Sequence, residues 1–114
     1  MTVSDFRLTS LVRRLVVQMN FNSNLLNISV INGVAYLKGE IEKNDPTIRK
    51  LKKKYKFSDK VLDKKLAQEY KAGLKMLDRN IVRAPGIRGV VYQLKNWEKK
   101  AGTGWIRKST RGST

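Results

Sequence analysis

The clearest pattern in the chain is an alternation of apolar and polar residues on both sides of Asn32-Gly33. Asn-Gly suits a two-residue turn with positive φ, so residues 26–41 are predicted to form a β-hairpin. With this turn, Ile31 lies opposite Val34, and the pairing continues residue by residue to Leu26 opposite Gly39. Residues that lie opposite each other have their side chains on the same face of the sheet. One face collects the residues expected in the core: Leu26, Ile28, Val30, Ala35, Leu37 and Ile41. The other face is largely polar: Asn27, Ser29, Tyr36, Lys38 and Glu40.

A helix is predicted before the hairpin. Ser4 is the expected N-cap and Asp5 a carboxylate in the first turn. The apolar residues behind them recur at spacings of three and four, which is typical of an amphipathic helix: Leu8, Leu11, Val12, Leu15, Val16 and Met19.

Two further helices are predicted after the hairpin. Asp45-Pro46 provides a cap followed by proline at the first helical position, which predicts a second helix to about Lys56. Ser58 is the expected cap of a third and longer helix that ends near Val82. The apolar stripe of this third helix consists of Leu62, Leu66, Tyr70, Leu74, Leu77 and Ile81.

Gly73 and a third predicted strand complete the prediction of the fold class. Gly73 lies inside the third helix, where it costs about 1 kcal/mol relative to alanine, so we expect close packing against the sheet there. Residues 89–95 are rich in β-branched and aromatic side chains and predict a third strand. The order α-β-β-α-α-β predicts an α+β fold, a small two-layer sandwich with the helices on one face of a three-stranded sheet.

Charge and composition reduce the number of functions that the protein could have. The formal net charge is +16, with 25 Lys and Arg against 9 Asp and Glu, which indicates an anionic partner such as nucleic acid or an acidic membrane surface. The chain has no cysteine and no histidine, so thiolate chemistry and the commonest general base are excluded. We therefore expect a protein that is not an enzyme, with no metal, cofactor or small-molecule substrate. Without a leader pattern or a run of roughly 20 apolar residues, a cytoplasmic location is expected.

The candidate anion-binding residues fall in two segments. Those of the second helix are Arg49, Lys50, Lys52, Lys53, Lys54 and Lys56. Those of the C-terminal segment are Lys99, Lys100, Arg107, Lys108 and Arg111. Residues 98–114 are polar, basic and rich in Gly, Ser and Thr, which predicts a mobile tail. Trp97 and Trp105 could stack on unpaired bases or lie at a lipid headgroup boundary, and alternatively Trp97 closes the end of the core.

Two motifs carry a resemblance to a known family. In NISVINGVAYLKGEIE the matching residues are Ile28, Val30, Gly33, Val34, Leu37, Gly39 and Ile41, and in APGIRGVVYQLKN they are Gly86, Ile87, Val90 and Leu94. Together the motifs resemble the BON domain family. The resemblance implies a BON-like domain over residues 1–97, with a Lys-rich helical insertion at about 44–60, and leaves 98–114 as the tail. It also implies attachment to phospholipid membranes, with which this family is associated.

Three functions are compatible with these patterns. The first is a nucleic-acid-binding protein, for RNA or for DNA without strong sequence preference, which uses the second helix and the tail as basic arms. The second is a peripheral module on an anionic membrane, as the BON-like pattern implies. The third is an adaptor whose basic segments become ordered in a larger assembly with a partner protein. Nucleic acid is the preferred prediction because it accounts for the charge.

Overall fold

The computed structural model describes residues 3–43, 45–100 and 104–108 and has the predicted α+β architecture. The elements, in chain order, are α1 (Val3–Gln18), a 3₁₀ turn (Ser23–Leu25), β1 (Leu26–Ile31), β2 (Val34–Gly39), α2 (Pro46–Lys54), α3 (Asp59–Arg83), β3 (Gly89–Leu94), β4 (Trp97–Lys100) and β5 (Gly104–Arg107). The first three strands form one sheet in the order β1-β2-β3, and β4 pairs with β5 in a separate two-stranded sheet.

The predicted hairpin is confirmed in register and in orientation. β1 pairs antiparallel with β2 from Leu26 opposite Gly39 to Ile31 opposite Val34. Asn32 and Gly33 have φ values of 52° and 81°, as a turn with two positive φ angles requires. β3 lies parallel to β2 on its other side. The predicted core residues of the hairpin are all buried: Leu26, Ile28, Val30, Ala35, Leu37 and Ile41.

α1 and α3 supply the other half of the core. Val12 and Val16 of α1 are fully buried in the same cluster as the apolar face of the hairpin. α3 contributes three buried side chains to this cluster, those of Leu74, Leu77 and Ile81. α2 packs against α3 and buries Ile48.

Gly73 marks a close approach between α3 and the segment around the hairpin. A Cβ atom there would lie 3.0 Å from Cζ of Phe21 and 3.3 Å from Nζ of Lys43. Phe21 and Lys43 pair in an isolated bridge beyond the ends of β1 and β2. The expectation of close packing at Gly73 is therefore confirmed. However, the helix approaches Phe21 and Lys43 there and not residues of the strands.

The start of α1 differs from the prediction. The helix is already formed at Val3, so the prediction of Ser4 as its N-cap is wrong. Asp5 is buried, and its carboxylate accepts hydrogen bonds from the backbone N–H groups of Asn32 and Gly33, at 2.9 and 3.1 Å. Its short side chain reaches across to the hairpin because the first turn of α1 lies directly over the Asn-Gly turn.

The end of the chain also differs from the prediction. A mobile tail was expected from residue 98, but residues 98–100 and 104–107 belong to β4 and β5. For these residues the expectation is wrong, because the two tryptophans of this hairpin provide enough apolar surface to hold it on the domain. Trp97 is 2% exposed and Trp105 is 6% exposed. Residues 101–103 and 109–114 lie outside the described part of the chain.

Replacing Asp5 tests the contact between α1 and the hairpin turn. Asp5→Ala is expected to lower the free energy of unfolding by about 2–4 kcal/mol, because one buried and one partly buried N–H group lose a charged acceptor. Urea unfolding measures this change, with Asp63→Ala at an exposed position of α3 as the control. A stability equal to that of the control would contradict a structural role for the Asp5 carboxylate.

Candidate anion-binding cleft

A cleft of about 570 Å³ lies between α2, α3 and the segment that leads into the β4-β5 hairpin. Its walls come from distant parts of the sequence. The lining residues are Glu40, Ile41, Glu42, Lys52, Leu66, Ala67, Tyr70, Lys95, Asn96, Trp97, Arg107 and Lys108. We call this set of residues the basic cleft.

Asn96 forms the junction that places the C-terminal hairpin beside the cleft. Its side-chain oxygen accepts a hydrogen bond from the N–H of Ile41 at 3.0 Å, and its side-chain nitrogen donates to the carbonyl of Ile41 at 2.8 Å. The N–H of Lys95 donates to the carbonyl of Gly39 at 2.8 Å, which continues the pairing of β3 with β2. The side-chain amide of Asn96 thus satisfies the backbone groups of Ile41 in place of another strand. The backbone is then free to leave the sheet and enter β4.

Aromatic rings form one side of the cleft. The rings of Tyr70 and Trp97 are stacked, with centroids 5.9 Å apart and an interplanar angle of 20°. The hydroxyl of Tyr70 accepts a hydrogen bond from the N–H of Lys43 at 2.9 Å. Burial raises the pKa of Tyr70, and the hydrogen bond from Lys43 opposes part of that effect. Tyr70 therefore contributes a neutral ring to the cleft at physiological pH.

The cleft brings together cations from both predicted basic segments. Lys52 comes from α2, and Arg107 and Lys108 come from the C-terminal segment. Lys95, at the end of β3, is a fourth cation that the sequence analysis did not single out. Four cations thus face two carboxylates, so the cleft favours an anionic ligand.

The other predicted cations of α2 lie outside the cleft. All five are exposed, four of them on α2 and Lys56 in the turn after it, where the helix has already ended: Arg49, Lys50, Lys53, Lys54 and Lys56. Two of them cover aromatic rings, with Lys54 Nζ 5.4 Å from the ring centroid of Tyr55 and Lys56 Nζ 4.9 Å from that of Phe57. The exposed cations in and just after α2 thus adjoin the cleft through Lys52.

The predicted cations of the C-terminal segment are divided among different environments. Lys99 forms an ion pair with Asp78 at 2.6 Å, and the hydroxyl of Tyr92 donates to the same carboxylate at 2.7 Å. Burial and this hydrogen bond raise the pKa of Tyr92. Lys100 is exposed on β4, and Arg111 lies outside the described residues. The ammonium group of Lys99 is therefore already paired with a carboxylate of the protein.

Lys108 has a structural role beside its place in the cleft. Its Nζ donates to the carbonyl of Leu94 at 3.0 Å, and its N–H donates to the carbonyl of Asn96 at 2.9 Å. These bonds hold the end of β5 against the end of β3. Among the described residues, the cleft cations whose side chains form no hydrogen bond or ion pair are Lys52, Lys95 and Arg107.

The two tryptophans are not available for stacking on bases or for contact with lipid. Both are buried, and the ring of Trp105 packs edge-on against Tyr92 with centroids 4.7 Å apart. The predicted stacking role is therefore corrected, and Trp97 closes the end of the core as in the alternative interpretation. Phe57, to which the sequence analysis assigned no role, is 92% exposed beside the lysines of α2. The sequence did carry one sign of its exposure, since Phe57 lies in a basic segment between two predicted helices.

Within residues 3–43, 45–100 and 104–108, no group of three or more acidic, His or Cys side chains could hold a metal ion. None of the helices in these ranges combines the length and the apolar surface needed to cross a lipid bilayer. Comparison of the chain with protein-family models, curated proteins and solved structures finds no match, so the resemblance to BON domains stays a prediction.

Replacing Trp105 tests whether the C-terminal hairpin is part of the core. Trp105→Ala is expected to lower the free energy of unfolding by about 3–5 kcal/mol, because a buried aromatic side chain is lost. Phe57→Ala is the control, since it removes an aromatic ring that is almost fully exposed, and it should leave stability close to that of the wild type. Equal stabilities of the two variants in urea unfolding would place Trp105 outside the core.

Proposed function

We propose that this protein is a non-enzymatic module that binds nucleic acid through the phosphate backbone, RNA or DNA without strong sequence preference. The observation that carries the proposal is the meeting of Lys52, Lys95 and Arg107 in one cleft. Lysine and arginine contacts to phosphates supply most of the affinity of binding that does not depend on base sequence. The proposal includes a cytoplasmic location.

The extent of the positive surface favours a polymer over a small anion. Exposed cations occur along α2 and just beyond its end, from Arg49 to Lys56. Nine residues at a rise of 1.5 Å make α2 about 13 Å long, whereas a single small anion would occupy the cleft alone. Phosphates repeated along a strand can contact the cleft and α2 together.

Phe57 supports contact with unpaired bases. Its ring is exposed at the end of α2, and the cation of Lys56 lies over one side of it. An aromatic ring beside cations is the usual arrangement of proteins that bind single strands, where bases stack on the ring and the cations contact phosphates. In this proposal Phe57 takes the stacking role that the sequence assigned to the tryptophans.

The same residue favours a second candidate function, attachment to an anionic membrane. An exposed aromatic ring next to several lysines is also typical of segments that lie at the lipid headgroup boundary. In this alternative Phe57 enters the headgroup region and the lysines of α2 contact acidic lipids. The resemblance to BON domains agrees with this candidate.

Removing charge from the cleft tests the proposed site. The variant K52Q/K95Q/R107Q is expected to bind single-stranded RNA more weakly, with the slope of log affinity against log salt reduced by about 2, because each phosphate contact contributes about 0.7. Fluorescence anisotropy between low and physiological salt measures the slope. The matched control is R13Q/K38Q/R88Q, which removes the same charge at exposed positions away from the cleft.

Two results would contradict the proposed site. If the cleft variant and the control have the same slope, the cleft does not contact the phosphates. If the wild-type protein binds vesicles of acidic phospholipid but no polynucleotide near physiological salt, the membrane candidate replaces the nucleic-acid proposal.

Replacing Phe57 separates the two candidate functions. Phe57→Ala is expected to weaken binding to single-stranded RNA by about 5-fold to 150-fold, since stacking on an aromatic ring contributes about 1–3 kcal/mol per base. Binding to duplex DNA, whose bases are already stacked on each other, should change little. A loss of vesicle binding with unchanged RNA binding would instead support membrane attachment.

A further inference from the structure

A second positive surface runs along α3, and the sequence analysis did not single it out. Lys71, Lys75, Arg79 and Arg83 follow one another at intervals of four residues, and all four are exposed. Because the helix rises 1.5 Å per residue, the row spans about 18 Å, with about 6 Å between neighbouring positions. We call these four residues the α3 ridge.

The α3 ridge lies on the side of the helix that faces away from the basic cleft. Leu66 and Tyr70 line the cleft from α3, and Leu74 and Leu77 continue the same side into the core. The four ridge positions lie on the opposite side of the helix, since each residue turns it by about 100°. The two positive surfaces therefore face different directions.

Nothing in the described part of the chain neutralises the α3 ridge. Within residues 3–43, 45–100 and 104–108, no carboxylate lies within 4.0 Å of these four cations. Asp78, the acidic residue nearest to them along α3, is bound by Lys99 and Tyr92. Like charges four residues apart destabilise a helix, so the row is unfavourable for α3 taken alone. An anionic partner would remove this repulsion.

The chemistry of the α3 ridge favours a duplex. Between Lys71 and Arg83 the other exposed positions of α3 are Ala72, Met76 and Val82, none of which is an aromatic ring on which an unpaired base could stack. A helix with its side chains is about 10–12 Å wide, which fits the major groove of B-form DNA with its width of about 12 Å. The deep, narrow major groove of A-form RNA does not admit side chains in this way.

We infer that the α3 ridge is a second polynucleotide-binding surface, which contacts the phosphates along the major groove of duplex DNA without selecting bases. The inference rests on the proposed function and extends it to a separate site. The protein then contacts nucleic acid on two sides, through the basic cleft with Phe57 and through α3.

The variant K71Q/K75Q/R79Q/R83Q, made in the full chain, tests this inference. Glutamine keeps the helix propensity and removes the charges. For duplex DNA we expect the slope of log affinity against log salt to fall by about 3–4, because each phosphate contact contributes about 0.9. For single-stranded RNA bound in the cleft, the slope should stay near that of the wild type. The control R7Q/R13Q/K38Q/R88Q removes four charges at exposed positions outside both surfaces.

The outcomes separate the two proposals. If the ridge variant and the control bind duplex DNA with the same slope, the inference is overturned, whatever the cleft variant does. If the ridge variant loses slope and the cleft variant does not, the inference stands and the proposed cleft site fails. If the wild-type protein binds no polynucleotide, both fail. Circular dichroism confirms that the helix content of each variant matches that of the wild type.

Discussion

The carboxylate of Asp5 joins α1 to the hairpin turn, and the positions of α1 and β3 on the sheet depend on this turn. Its two oxygens accept the N–H groups of Asn32 and Gly33, while the carbonyl of Gly33 accepts the N–H of Arg88 at 2.7 Å. A side chain at Gly33 would come within 2.8 Å of the carbonyl of Gly86. The turn is thus held between α1 and the loop before β3. This arrangement lays α1 on the sheet and directs β3 alongside β2.

The opposite end of the sheet is closed by Asn96, and the cleft exists because of that junction. Its side-chain amide binds both backbone groups of Ile41, so the chain leaves β3 at a fixed point. β4 and β5 then fold back toward α3, where the rings of Trp97 and Trp105 are buried. The cations that follow in sequence, such as Arg107, are thereby carried to the mouth of a cleft whose far wall is α2.

The fold could be predicted from the sequence wherever a local pattern specifies it. Asn32-Gly33 and strict alternation determine the register of the hairpin, and the spacing of Val12 and Val16 identifies the buried side of α1. The C-terminal hairpin could not be predicted, because its stability comes from contacts of Trp105 with residues distant in sequence. The same reason applies to the site. Composition identified the basic segments. Only the tertiary structure shows that Lys99 forms an ion pair with Asp78 and that Lys95 lines the cleft.

The distribution of acidic residues explains why so much positive charge is left on the surface. Several of the few carboxylates have structural roles: Asp5 binds the hairpin turn, Asp45 caps α2, and Asp78 holds Tyr92 and Lys99. Within the described residues, the ion pairs with carboxylates are those of Lys43 and Lys99, so most of the lysines and arginines there are neutralised by solvent counterions. A ligand that replaces many counterions at once gains the entropy of their release, and that gain increases with the number of phosphates contacted. A surface of this kind favours an extended polyanion over a small anionic ligand.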